Sequence, residues 1–255
     1  MRIPIGISIV LLAVMVVPAV AQQRPGPVGQ PSTKHRVFVE VNGLFQAGVK
    51  DFDETVTFQK NVEPGTFSAN YDVQSAPAFN VSGGSMLTDR FGVAVGVSRL
   101  SHSTPSTFSA SVPHPFVFNQ PRSVSGNIGG LTREELALHV QARVVVPVSR
   151  KLEGMVFGGP SFFRVKQDLV DDFTYTETYP YDTATFNRGI TSRAKKSTIG
   201  FNAGADVSYF FSKQVGLGGT AQYTAASIDL SAAGGTTTSV KVGGLQVGGG
   251  LRLRF

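Results

Sequence analysis

Residues 239–255 read SVKVGGLQVGGGLRLRF. From Leu245 onward the stretch alternates. Leu245, Val247, Gly249, Leu251, Leu253 and Phe255 fall on one face, and Gln246, Gly248, Gly250, Arg252 and Arg254 on the other. A side-chain period of two is that of a β-strand, here with one apolar face and one face carrying arginines. In a soluble sheet the apolar face would bury against a core, so alternation alone does not choose the solvent. The placement of Phe255, an aromatic in phase with the apolar side, favours a last strand whose apolar face meets lipid. That reading requires about seven matching strands upstream.

The other end of the chain sets the compartment. Residues 1–21, MRIPIGISIVLLAVMVVPAVA, combine a basic Arg2, an apolar run from Ile3 to Val17 and an Ala19-Val20-Ala21 cleavage site. Pro4 and Pro18 interrupt the run, which falls short of the roughly 20 residues of a spanning helix. The expectation is a signal peptide cleaved before Gln22, and export. The sequence has no cysteine, which excludes both a lipid-anchoring Cys and a disulfide framework. Without Arg2, the 23 Lys+Arg become 22 against 17 Asp+Glu, a mild +5 spread along the chain. Nucleic-acid binding, which needs clustered basic residues, is not expected. No later stretch approaches the ~18 apolar residues of a transmembrane helix, so a membrane protein of this sequence must be a closed barrel.

Residues 22–35 are rich in proline and predict a flexible N-terminal tail. The first strand spans 36–47, with Val37, Val39, Val41 and Phe45 outward and Glu40, Asn42 and Gln46 inward. A second covers about 72–87, with Phe79 and Val81 outward. A third starts at Phe91 and sends out Val93, Val95 and Val97. Residues 132–148 open on a helix-like Thr132-x-x-Glu135 capping box, yet Leu136 to Val148 alternate without a miss and end in Val-Val-Val-Pro-Val, which favours a strand. The fifth strand, 152–167, has ambiguous faces: Met155, Phe157, Phe163 and Val165 are read as outward, with Val156 and Phe162 on the other parity. Strands at 196–211 and 215–227 precede the last one.

Connections alternate between short, at 88–90, 149–151 and 212–214, and long, at 48–71, 100–131, 168–195 and 228–238. This is the spacing of an eight-stranded antiparallel up-and-down transmembrane β-barrel, with aromatics such as Phe91, Tyr209, Phe45, Phe79, Phe163 and Phe201 at two girdles. The absence of Trp departs from the usual girdle. The soluble alternative is a lipocalin-type barrel with the parity turned inside out. Over 36–255 the chain resembles the small outer-membrane barrels of the OmpA, OmpX and opacity type, and the expectation is a barrel without a periplasmic domain. The resemblance implies residence in the bacterial outer membrane among its lipid and lipopolysaccharide. It also implies that Leu251, Leu253 and Phe255 form the signal read by the barrel-assembly machinery.

The inward positions include Glu40, Glu135, His139, Arg143, Asp206, Arg252 and Arg254, with Asn42, Gln141, Asn202, Gln222 and Gln246 between them. Buried charges must be paired, and a lumen of eight strands is only just wide enough for side chains. A filled lumen is therefore favoured over a small-solute channel, Phe38, Arg143, Arg252 and Arg254 being the blocking groups. Catalysis is not expected. His102 and His114 lie among Ser101, Ser103 and Ser111 without a nearby carboxylate, and no nucleophile elbow, metal spacing or phosphate loop is present. No cofactor or metal is expected. The long connections, 168–195 first, are the candidates for an extracellular ligand. The function expected is a structural or surface-interaction role in the envelope, with a channel as alternative and a lipid-modifying enzyme as a more distant one.

Overall fold

The computed structural model describes residues 36–47, 51–231 and 237–255; the expected signal peptide, 1–21, and N-terminal tail, 22–35, lie outside them. Every regular element among the described residues is a strand. These are β1 (Val37–Gln46), β2 (Phe52–Lys60), β3 (Glu63–Tyr71), β4 (Ala76–Met86), β5 (Phe91–Val112), β6 (Arg122–Pro147), β7 (Leu152–Glu177), β8 (Ala184–Phe210), β9 (Val215–Ser231) and β10 (Thr237–Arg254). Eight of them, β1 and β4 to β10, form a ring of antiparallel neighbours. β1 closes it against β10, from Phe38 opposite Arg254 to Gln46 opposite Gln246. The hairpin β2–β3 is added to the wall: β5 pairs with β4 over Gly92–Leu100 and with β3 over Ser106–Ser111.

Three tight turns join β4 to β5, β6 to β7 and β8 to β9, and all use one device. The hydroxyls of Thr88, Ser149 and Ser212 accept the backbone N–H of Phe91, Leu152 and Val215, three residues on, at 2.9, 3.1 and 3.0 Å. Short polar side chains hold such turns by standing in for the backbone.

The long connections differ from expectation. The described residues within 48–71, 100–131, 168–195 and 228–238 are largely strand: β6, β7 and β8 are 26, 26 and 27 residues long, well beyond the ~9–11 that cross a bilayer. The cause is an inversion of chemistry along the wall. Near the short turns the outer face is apolar, as at Phe91, Val95, Phe201 and Val207, and the inner face polar. Further along, the outer face turns polar and the inner face apolar, with Phe108, Val112, Val124, Val165, Val170, Val240 and Val242 buried against Phe67 and Val56 of the hairpin. The lower part is built as a membrane barrel and the upper part as a soluble one, in the same strands.

This inversion also corrects the faces of 152–167. Val156 and Phe162 point outward, 52% and 46% exposed, whereas Phe163 and Val165 are buried inside. Met155 and Phe157 lie against Arg143. Phe162, not Phe163, therefore joins the outer aromatics: β7 passes from the membrane-type to the soluble-type surface there, and both parities are apolar.

Candidate functional site: a lumen closed by two layers

The lower layer is a polar network. Arg143, on β6, donates to Glu40 on β1 at 2.7 Å, to Ser82 on β4 at 3.0 Å and to Gln141 at 3.0 Å, while Ser82 donates to the second oxygen of Glu40. Its guanidinium lies over the Phe38 ring at 4.6 Å, a cation–π contact. Across the lumen, Arg252 pairs with Asp206 and donates to Asn42 at 2.6 Å; Ser208 supplies a further donor to Asp206. Both arginines thus meet a carboxylate and an additional acceptor, the condition under which a buried ion pair is tolerated.

Neutral groups continue the network. His139 is bracketed by Ser98 and Ser161 at 2.8 Å each; Asn202 donates to Ser161 and accepts from Gln141. A chain of amides runs from Gln222 through Gln246 to Gln46 and ends on the carbonyl of Gly243. Small inward residues make room for the large ones: a Cβ at Gly218 would stand 2.8 Å from Arg252 Nε, and one at Gly204 2.6 Å from the Phe157 ring. The glycines do not leave a path; other side chains occupy their space.

The remaining inward candidates stand at the two borders of this network. Arg254 lies at the short-turn mouth, bound to Glu153 at 2.5 Å and stacked over Phe210. Glu135 lies at the top, accepting from Arg133 at 2.7 Å and from the N–H of Gly243. Arg133 was absent from the sequence candidates, although its odd parity matches Glu135, two residues on. Leu251 and Phe255 face outward, and the Phe255 amide donates to Val37 at 2.8 Å across the closing seam.

Above the network the lumen is closed by hydrocarbon. Phe108 packs on Phe173, Phe67 and Phe186 with ring centroids 4.7, 5.8 and 5.2 Å apart. The hairpin is fixed to this layer through Tyr71, which stacks on Phe52, donates to Glu54 at 2.8 Å and accepts the N–H of Val170 on β7. Burial raises the Glu54 carboxyl above the usual range; the Tyr71 hydrogen bond opposes this and the nearby Asp171 charge adds to it. Between the layers a cavity of about 20 Å³, the scale of one water, is lined by Gln46, Tyr71, Leu100, His102, Arg133 and Gln167.

His114 is committed to a turn, its Nδ1 accepting the N–H groups of Phe116 and Val117. Among the described residues no group of His, Cys, Asp and Glu is arranged to hold a metal.

A closed antiparallel ring, apolar outside and polar inside over one belt, is the construction of a transmembrane β-barrel, in which no strand edge meets lipid. The chain belongs to the outer membrane protein beta-barrel domain family, whose sequence profile matches residues 9–252. Among solved structures it is similar to Neisserial surface protein A, with 12% identity over 86% of this chain and 97% of that one and a TM-score of 0.47. It is also similar to OprG from Pseudomonas aeruginosa, with 10% identity over 87% and 97% and a TM-score of 0.49. For the outer membrane protease OmpT from Escherichia coli the identity is 8% over 88% and 98%, with a TM-score of 0.44. No curated protein matches the chain. The family is one of the bacterial outer membrane, where short turns lie on the periplasmic side and the extended ends of the strands outside.

Proposed function

We propose that this barrel is a closed, non-enzymatic envelope protein whose extracellular extension is a rigid platform for surface contacts. The observation that carries the reading is the double closure of the lumen, by the Arg143 and Arg252 ion pairs below and by the Phe67–Phe108–Phe173 layer above. A solute would have to displace both a paired charge network and a packed apolar core. The platform ends in exposed aromatics: Phe116, Phe118 and Tyr179 are 73%, 68% and 82% exposed, and Tyr181 meets Phe116 and Tyr179 edge-on. Rigid, water-exposed aromatics of this kind favour contact surfaces.

The protein reconstituted in a planar bilayer is expected to give no discrete openings. Reproducible single-channel steps from protein verified as folded would replace this reading with the small-solute channel. Replacing Phe116, Phe118 and Tyr179 together by Ser is expected to lower adhesion of expressing cells without changing barrel yield. The reading includes export with cleavage before Gln22; the intact mass of protein from outer membranes should correspond to a chain starting at that residue.

A further inference from the structure

The outer wall changes character between two neighbouring cross-strand rows. The row Val97, Leu138, Phe162 and Ile199, running across β5 to β8, is wholly apolar and exposed. The next row on the extracellular side is Arg99, Leu136, Arg164 and Ser197; the one after it is Ser101, Glu134, Lys166 and Lys195. Arg193 follows on β8, opposite Asp168. Successive same-face rows lie roughly 7 Å apart along a strand, so Arg99 and Arg164 stand in the first row beyond the apolar belt, Lys166 and Lys195 in the second and Arg193 in the third.

Two of the five are paired. Lys166 meets Glu134 at 2.9 Å, and Arg193 meets Asp168 at 2.7 Å. Arg99, Arg164 and Lys195 are exposed, and among the described residues their side chains make no hydrogen bond or ion pair, although the Arg99 charge reaches Glu134. Arg99 and Arg164 flank Leu136 two strand spacings apart, about 10 Å, and Lys195 stands across from Lys166. The patch carries five positive and two negative charges within one face of four adjacent strands.

We propose that this cluster binds the phosphates of a phosphorylated glycolipid of the outer leaflet, whose acyl chains lie along Val97, Leu138, Phe162 and Ile199. The occupant is set by the continuity of the two surfaces: a ligand touching the cations from the membrane side has its apolar part on the lipid-facing belt. Arg99 and Arg164 supply planar forks that match phosphate oxygens, and Lys195 a point charge. Glu134 and Asp168 hold Lys166 and Arg193 upright at the border and keep the patch from spreading its charge. The inference rests on the membrane placement of the belt and is independent of whether the lumen is closed.

The test is native mass spectrometry of the full folded protein, delipidated and titrated with bis-phosphorylated lipid A or with the same glycolipid stripped of its phosphates. The phosphorylated form should bind more than tenfold tighter. Each neutralised cation should weaken its binding roughly fivefold, so Arg164→Gln gives that loss alone and the triple variant Arg99→Gln, Arg164→Gln, Lys195→Gln about a hundredfold. Heat-modifiable gel mobility verifies folding, and if the triple variant does not fold, the single one decides. Neutralising Arg150, Lys151 and Lys213 in the periplasmic turns should change nothing. Equal binding of the two glycolipids, or unchanged binding by Arg164→Gln, would overturn the proposal. Displacement of the glycolipid by millimolar inorganic phosphate would assign the patch to small anions and overturn it equally.

Discussion

At the residue scale, Arg143 shows how a buried charge is made tolerable. Glu40, Ser82 and Gln141 accept from its two terminal nitrogens and Phe38 covers its face. Arg143→Met leaves Glu40 buried with Ser82 alone, and the expected loss is about 3–5 kcal/mol. Adding Glu40→Gln should restore most of it, because the destabilisation comes from the orphaned charge. Urea midpoints in micelles compare the two, and a double variant no better than the single would contradict the account. Gly243 is the backbone counterpart. Its φ is +92°, a Cβ there would stand 2.3 Å from the Thr224 carbonyl, and its N–H and C=O are satisfied by Glu135 and Gln46. Gly243→Ala should cost of order 1–3 kcal/mol in the same measurement. Parity alone places Glu40 and Arg143 on the inner face. Their pairing across 103 positions of sequence needed the ring to close.

At the element scale, the hairpin β2–β3 depends on pH through Glu54. Burial raises the folded-state carboxyl above 4.5, so its contribution to stability is fully present below that value and is lost as pH rises through the raised one. Protection factors of the backbone amides of Thr66–Tyr71, paired with Ser106–Ser111 and normalised to the intrinsic base-catalysed rate, should therefore be lower at neutral than at mildly acid pH. Glu54→Gln should remove that difference in protection while keeping the acceptor for Tyr71. Asp168 and Glu134 act in the opposite sense. Held below their usual range by the hydrogen bonds from Arg193 and Lys166 respectively, they stabilise above their ordinary values and lose this as pH falls through the lowered ones. The sequence presented 48–71 as a polar loop because Asp51, Asp53, Glu54, Lys60 and Glu63 dominate its composition. Phe52, Val56, Phe67 and Tyr71 are the in-phase positions that make it a strand pair.

At the scale of the whole molecule, the two closures are in series. Replacing both ion pairs, Arg143 with Glu40 and Arg252 with Asp206, by Ala opens the lower layer only, and Phe108→Ala with Phe173→Ala the upper one only. Each set alone is expected to leave a planar bilayer silent, and conductance should require both. Openings from the lower set alone would show that the apolar layer does not seal. The same stacking explains why strands of 26 and 27 residues are stable beyond the membrane: their inner faces there bury hydrocarbon as a soluble domain would.

The alternation of Leu245 to Phe255, of Phe91 to Val97 and of Leu136 to Val146 determined strand, parity and outward face, because within the lipid belt an apolar residue on a strand has one direction in which to point. The Thr88, Ser149 and Ser212 turns were equally local. Only the tertiary structure decided where that rule stops. Beyond Arg99 and Arg164 the same apolar side chains, Phe108, Val165 and Val240, point inward, so alternation still reads as strand but the meaning of its faces is reversed. Apolarity records only that a side chain avoids water. Whether lipid outside or a core inside provides the shelter depends on the height of the residue in the barrel, and that height is set by register across neighbouring strands.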